Sequence, residues 1–183
     1  WTGNMGTSDW KDCGNWEQGK VPTSSSTVVI PDNGDIQPIV SGNVTGNGLW
    51  TGGLVGFAYW GTITSCSSSA TVIGTIYTGG LVGDFIGEMS NCASSSTVTG
   101  TDATGGLVGY SSGTIDKSYA TGDVTGTEDV GGIVGENYDS NISNSYALGN
   151  VEGNDYVGGA IGLNSYGKIE FTSIATLLDQ CSK

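Results

Sequence analysis

The side chains able to do acid, thiol or ligand chemistry in this 183-residue chain are four cysteines, 18 carboxylates and five lysines, with no histidine and no arginine. Without histidine the commonest general base and metal ligand is missing. Cys13, Cys66, Cys92 and Cys181 form no C-x-x-C pair, so nothing in their spacing points to zinc. Four cysteines in an acidic, Ser/Thr-rich chain read instead as the disulfide set of an extracellular protein, with three connectivities open. The carboxylates are distributed less evenly. Asp102, Glu128 and Asp155 occupy the same place in three similar turns, Gly100-Thr101-Asp102-Ala103, Gly126-Thr127-Glu128-Asp129 and Gly153-Asn154-Asp155-Tyr156. Stacked one above another they stand about 5 Å apart. Such a column is either a solvated acidic edge that keeps the chain soluble or a column bridged by a cation, and carboxylate plus carbonyl oxygens suit Ca²⁺. A glycosidase acid and base need carboxyls about 5 to 9 Å apart, a distance some stacked pair meets in any acidic array, so spacing alone assigns no catalysis and the chain reads as non-enzymatic. The formal charge of −13 excludes ordinary binding to nucleic acid or to anionic membranes.

The elements that place these residues follow from an internal repeat. Thr51-Gly52-Gly53-Leu54-Val55-Gly56 recurs as 78–83, 104–109, 130–135 and, more loosely, 157–162, at spacings of 27, 26, 26 and 27. After each hexapeptide comes one apolar residue (Ile63, Met89, Ile115, Ile142, Ile169), and nine residues later another (Val72, Val98, Val124, Val151, Leu178). The hexapeptides themselves supply a third column, Leu54, Leu81, Leu107, Ile133 and Ala160. Glycine at four or more positions per repeat, costing about 1 kcal/mol each in a helix interior, excludes helical repeats. Short segments with one apolar residue in nine bury it only by stacking. The spacing therefore predicts an all-β fold, a parallel β-solenoid of about five coils of 26 to 27 residues with three inward columns. Residues 51–183 form this single continuous domain. Residues 1–50 lack the repeat and, with Trp1, Trp10 and Trp16, read as an N-terminal cap with irregular first coils.

The stretches from Gly105 to Gly126 and from Gly131 to Gly153 combine Gly-Gly-(Leu/Ile)-Val-Gly with Ser-Tyr-Ala and a closing Val-(Thr/Glu)-Gly. In this the chain resembles the GLUG-motif repeats of bacterial surface proteins and adhesins. The resemblance covers residues 51 to about 170 and implies a β-solenoid scaffold without a catalytic signature. The first two repeats depart from it by placing Cys66 and Cys92 where Ser118 and Ser145 stand later.

Equivalent positions in adjacent coils put Cys66 and Cys92 within disulfide range, as a bond or as a buried thiol pair. Cys13 and Cys181 lie at opposite ends of the array, which favours an interchain bond. The ends are also the least polar coils. Phe57 and Trp60 in the first coil, and Phe171 and Leu177 in the last, occupy positions that elsewhere carry more polar residues, and Ile174 and Leu178 add to the apolar end of the last coil. These six are the expected assembly interface, covered by another copy of the chain head to tail or by flanking adhesin domains. The expectation is an extracellular, bacterial cell-surface module of adhesin type whose partners include a glycan or host-surface ligand. The alternatives are a subunit of an extracellular filament, a carbohydrate-active enzyme, and an ice-binding face built on Thr75, Thr101 and Thr127.

Overall fold

The computed structural model of the chain describes residues 39–170 and 173–174. The Trp-rich segment, Cys13, Cys181, Phe171, Leu177 and Leu178 lie outside them, as does the Ile174 side chain. All strand pairings among the described residues are parallel, and each joins a residue to its equivalent one repeat on. Thr51 pairs with Thr78, Thr78 with Thr104, Thr104 with Val130 and Val130 with Val157. The chain is thus a β-solenoid of about five turns, with no helix among the described residues.

Three sheets form its sides. The hexapeptide and the residues just before it build a five-stranded sheet, from Thr51–Gly52 to Asp155–Gly158. Residues after the hexapeptide build an eight-stranded sheet, beginning with the long strands Val55–Thr64 and Val82–Ser90. The third, nine-stranded sheet begins with Ile39–Thr45 and Ser67–Ile73. In later coils each long strand is replaced by two short ones, such as Val108–Ser111 with Thr114–Asp116, and Tyr119–Ala120 with Val124–Thr125. The outline therefore has more bends than the three straight sides expected. Backbone packing accounts for one bend: a Cβ on Gly122 would run into the carbonyl of Ser96, so the later coils turn where Ser67–Ile73 runs straight.

The three apolar columns face inward as expected. Ile63 pairs with Met89, Met89 with Ile115 and Ile115 with Ile142. Leu81, Leu107 and Ile133 are fully buried, as are Val72 and Val98. Burial fails at the end of the array, where Ile169 is 46% exposed. The core is also divided in two. Leu81, Phe85, Met89, Leu107, Ile115 and their stack neighbours form one cluster; Ala70, Val72, Val98, Val124, Val130 and Val151 form the other.

A fourth inward column, Thr51, Thr78, Thr104 and Val130, comes from the first residue of the hexapeptide. The three threonine hydroxyls are buried and have no hydrogen-bond partner, whereas Val130 fills the same place without a polar atom. An unpaired buried hydroxyl costs more than it returns. Thr104→Val is therefore expected to raise stability by about 1 kcal/mol, a melting shift of roughly 2 to 4 °C. Leu107→Asp, which buries an unpaired charge between two coils, abolishes the folded circular dichroism spectrum. A Thr104→Val protein less stable than the parent contradicts the inward assignment.

Candidate functional site

The eight-stranded sheet bends at Gly61, Gly87 and Gly113, and the bend opens into a groove of about 550 Å³. Its floor has no side chains because the coils touch there. A Cβ on Gly87 would strike the Gly61 carbonyl, one on Gly113 would strike the Gly87 carbonyl, and Gly87 itself has φ +151°. The column Thr62, Glu88, Thr114 and Asn141 forms one wall, each residue in register with the next. It offers two hydroxyls, a carboxylate and an amide along the solenoid axis. The amide oxygen of Asn141 is buried and accepts no hydrogen bond.

Trp60 stands at the mouth of this groove. The pairing between Val55–Thr64 and Val82–Ser90 shifts register between Tyr59 and Gly61, so Trp60 is the extra residue of a β-bulge and has no partner opposite it. Its φ is +54°, a conformation that bulky residues rarely adopt, and 74% of it is exposed. Bulges of this kind re-aim a side chain. The indole joins a chain of ring contacts, with Trp50 stacked on Phe57 at 4.9 Å, Phe57 tilted against Tyr59 at 5.9 Å and Tyr59 edge-on to Trp60 at 5.9 Å. Phe57 and Trp60 are both exposed, so the first coil displays an aromatic strip that leads into a polar groove.

Three stretches of the chain, residues 51–73, 100–125 and 126–152, match the family model of the GLUG motif. In these stretches the chain is similar to the GLUG motif. No curated protein and no solved structure matches it. The coils themselves are not confined to the matched stretches, since residues 76–79 and 82–90 stack in the same register between the first two.

In the solenoid, Cys66 and Cys92 occupy neighbouring coils, immediately before the paired residues Ser67 and Ala93. Both are thiols and no disulfide joins them, which corrects the disulfide reading of this pair. Each sulfur donates to the carbonyl two residues back, Cys66 to Thr64 and Cys92 to Ser90, both at 3.3 Å. Ser118 and Ser145 make the same bond, to Asp116 at 2.9 Å and to Ser143 at 2.7 Å. The cysteines thus stand in for a serine that pins the corner. A hydrogen bond with Cys66, together with burial, pushes the Cys92 thiol far up, which favours its protonated form.

Asp102, Glu128 and Asp155 are in register as expected, but Glu128 and Asp155 are exposed. Among the described residues no group of three or more Asp, Glu, Cys or His side chains comes together to hold a metal ion. The carboxylates that the structure singles out are Asp84, Asp129 and Glu136, none of which sequence spacing had marked. Asp84 and Asp129 are only 8% and 7% exposed, and each has an Oδ1 atom without a hydrogen-bond partner. Burial raises all three carboxyls. Asp129 is pushed up to about 6 by burial and then by Asp102 and Glu128. Asp84 is raised by burial against a hydrogen bond from the Trp50 side chain, and Glu136 by burial, Asp129 and Asp102.

A carboxyl raised on folding is protonated in both states below its unfolded value and costs stability once it must ionise in the fold. The chain therefore loses stability at Asp129 as pH rises from about 4 through 6. Asp129→Asn removes that cost. Its melting temperature should exceed the parent's at pH 7, by the equivalent of about 1 kcal/mol after allowance for solvent screening, and match it near pH 4. Equal melting at pH 7 would place the Asp129 carboxylate in water.

Proposed function

We propose that the chain is a non-enzymatic, adhesin-type binding module of an extracellular surface, and that it holds a glycan along the groove at Trp60. The observation that carries this reading is the bulge that turns Trp60 outward at the end of a polar groove. An indole face packs against the C–H face of a sugar ring, while Thr62, Glu88, Thr114 and Asn141 meet its hydroxyls. Coils repeat about every 4.8 Å, so wall groups recur along the axis as hydroxyls recur along an extended polysaccharide. The GLUG repeats support a scaffold role, and the bacterial surface setting is part of the same proposal.

Trp60→Ala tests it on a glycan array and by titration with the glycans retained there. Because the side chain is mostly exposed, melting should stay within about 0.5 kcal/mol of the parent while affinity falls at least tenfold. Undiminished glycan retention by the variant removes the groove from the binding site.

A filament subunit is the second reading. It is favoured by exposed apolar groups at both ends of the described array: Phe57 and Trp60 in the first coil, Val157 and Ile169 in the last. Head-to-tail stacking of the solenoid would cover them. Sedimentation over a wide concentration range decides between the two, with polymers supporting the filament and a strict monomer leaving the binding module.

A further inference from the structure

A second surface runs along the solenoid beside the five-stranded sheet, and it is not part of the groove. Each coil contributes to it the residue before the hexapeptide and the residue after it. The first set is Trp50, Tyr77, Ala103, Asp129 and Tyr156, each preceding a mutually paired residue. The second set is Phe57, Asp84, Tyr110, Glu136 and Leu163, paired in that order. Tyr77, Ala103, Asp129 and Tyr156 all have φ between +45° and +52°, so the backbone turns in the same way at each.

The two sets are offset by one coil. Gly109 packs on the backbone of Tyr77, Gly135 on that of Ala103 and Gly162 on that of Asp129. Tyr110 therefore faces Tyr77, and the two rings lie 5.0 Å apart. By the same offset Glu136 faces Ala103, and the Asp84 carboxylate accepts a hydrogen bond from Trp50. Read along the axis, the ledge runs from an acid, Asp84, over a tyrosine pair to two more acids, Glu136 and Asp129.

Among the described residues no lysine pairs with a carboxylate of this ledge. The ion pairs among the described residues join Lys117 to Asp116 and Lys168 to Glu170, and neither lysine reaches it. The buried Oδ1 atoms of Asp84 and Asp129 remain without donors. The local field is strong enough to push the Tyr110 hydroxyl up to about 12, through burial and then Glu136, and the Tyr77 hydroxyl is raised by burial, Glu136, Asp102, Asp84 and Asp129. Both carboxylates thus bear on one tyrosine pair from either side. A metal ion needs several oxygens converging on one point, and they do not converge here. Ammonium groups are satisfied by scattered acceptors and are attracted to the faces of tyrosine rings.

We propose that this ledge binds an oligomer of an amino sugar through its protonated amines. The acids lie on both sides of the tyrosine pair, one to three coils apart, a span of about 5 to 15 Å. That span suits amines repeated along a chain better than a single one. The tyrosine faces between them take the C–H face of the intervening ring.

The test compares a glucosamine oligomer with the N-acetylglucosamine oligomer of equal length, by isothermal titration at low salt and about pH 6, where alkyl amines are charged. The free-amine oligomer is expected to bind at least tenfold more tightly and to weaken with added salt. The Asp84→Asn/Asp129→Asn double variant should lose at least tenfold in affinity. Glu152→Gln, which removes one exposed charge from the nine-stranded sheet, should bind as the parent does. In the parent protein, carbon-detected NMR should show the Asp129 titration moving below its value of about 6 when the oligomer is bound, a readout independent of any variant's folding. Equal binding of the two oligomers, no binding of the free-amine form, or an unaffected double variant overturns the proposal. So does a lysine oligomer that binds as tightly, because charge alone would then account for the effect.

Discussion

Parallel hydrogen bonding from each coil to the next is the constraint on which everything else in this molecule depends. Because the ladder joins equivalent residues, the nearest neighbour of every side chain is the residue one repeat away. Whatever a position does well it does repeatedly, and whatever it does badly is repeated too. Leucine over leucine excludes water along a whole column. Tyr119 over Tyr146 stacks with rings 5.1 Å apart and nearly parallel, at 4°. Threonine over threonine in the buried column leaves hydroxyls unpaired, since neighbouring donors and acceptors do not line up. Acid beside acid repels, and with only five lysines against 18 carboxylates the chain cannot neutralise its own columns.

The corners follow from the same constraint. A coil of 26 residues must turn sharply several times, and each turn brings backbones so close that a side chain does not fit. A Cβ on Gly79 would run into the Val82 carbonyl, and the equivalent Gly105 and Gly131 meet Val108 and Val134 in the same way. The repeated hexapeptide is therefore a statement about backbone contact, and its glycines are fixed by the shape of the turn. Positive φ values at Asn91, Lys117 and Asn144 mark another corner, where the side chain points out and its identity is free to vary. The surface features that differ between coils arise at such corners, including the bulge at Trp60 and the αL position of Asp129.

This division explains what the sequence revealed. The three apolar columns were legible because a spacing of 26 or 27 survives in one dimension, and it placed Ile115, Val124 and Leu107 inside. In-register stacking of Asp102, Glu128 and Asp155 was legible for the same reason. Relations across a corner were not. Asp84 and Trp50 are 34 positions apart and Tyr77 and Tyr110 are 33 apart, and they meet only because the second set of ledge residues is displaced by one coil. No periodicity contains that offset. The choice between a bond and a thiol pair at Cys66 and Cys92 stayed open in the sequence for a different reason. Their equivalence to Ser118 and Ser145 was visible, but the carbonyl two residues back, which all four side chains reach, becomes apparent only once the corner is folded.

A molecule built this way separates stability from recognition to an unusual degree. Inward columns are shared property: a poor residue in one coil leaves its neighbours above and below without a contact, so those positions resist change. Corner and outward positions are nearly private, because their side chains leave the ladder and the backbone bonds beneath them stay intact. The column Thr62, Glu88, Thr114 and Asn141 illustrates this. Three chemically different groups, a hydroxyl, a carboxylate and an amide, sit beside Ile63, Met89, Ile115 and Ile142, which stay apolar throughout. A binding surface assembled from such positions changes its chemistry one coil at a time without disturbing the core beneath it. That freedom suits a repeat scaffold to the display of polar and aromatic groups in long, shallow arrays, and it concentrates the differences in surface chemistry at the few positions where successive coils fail to repeat.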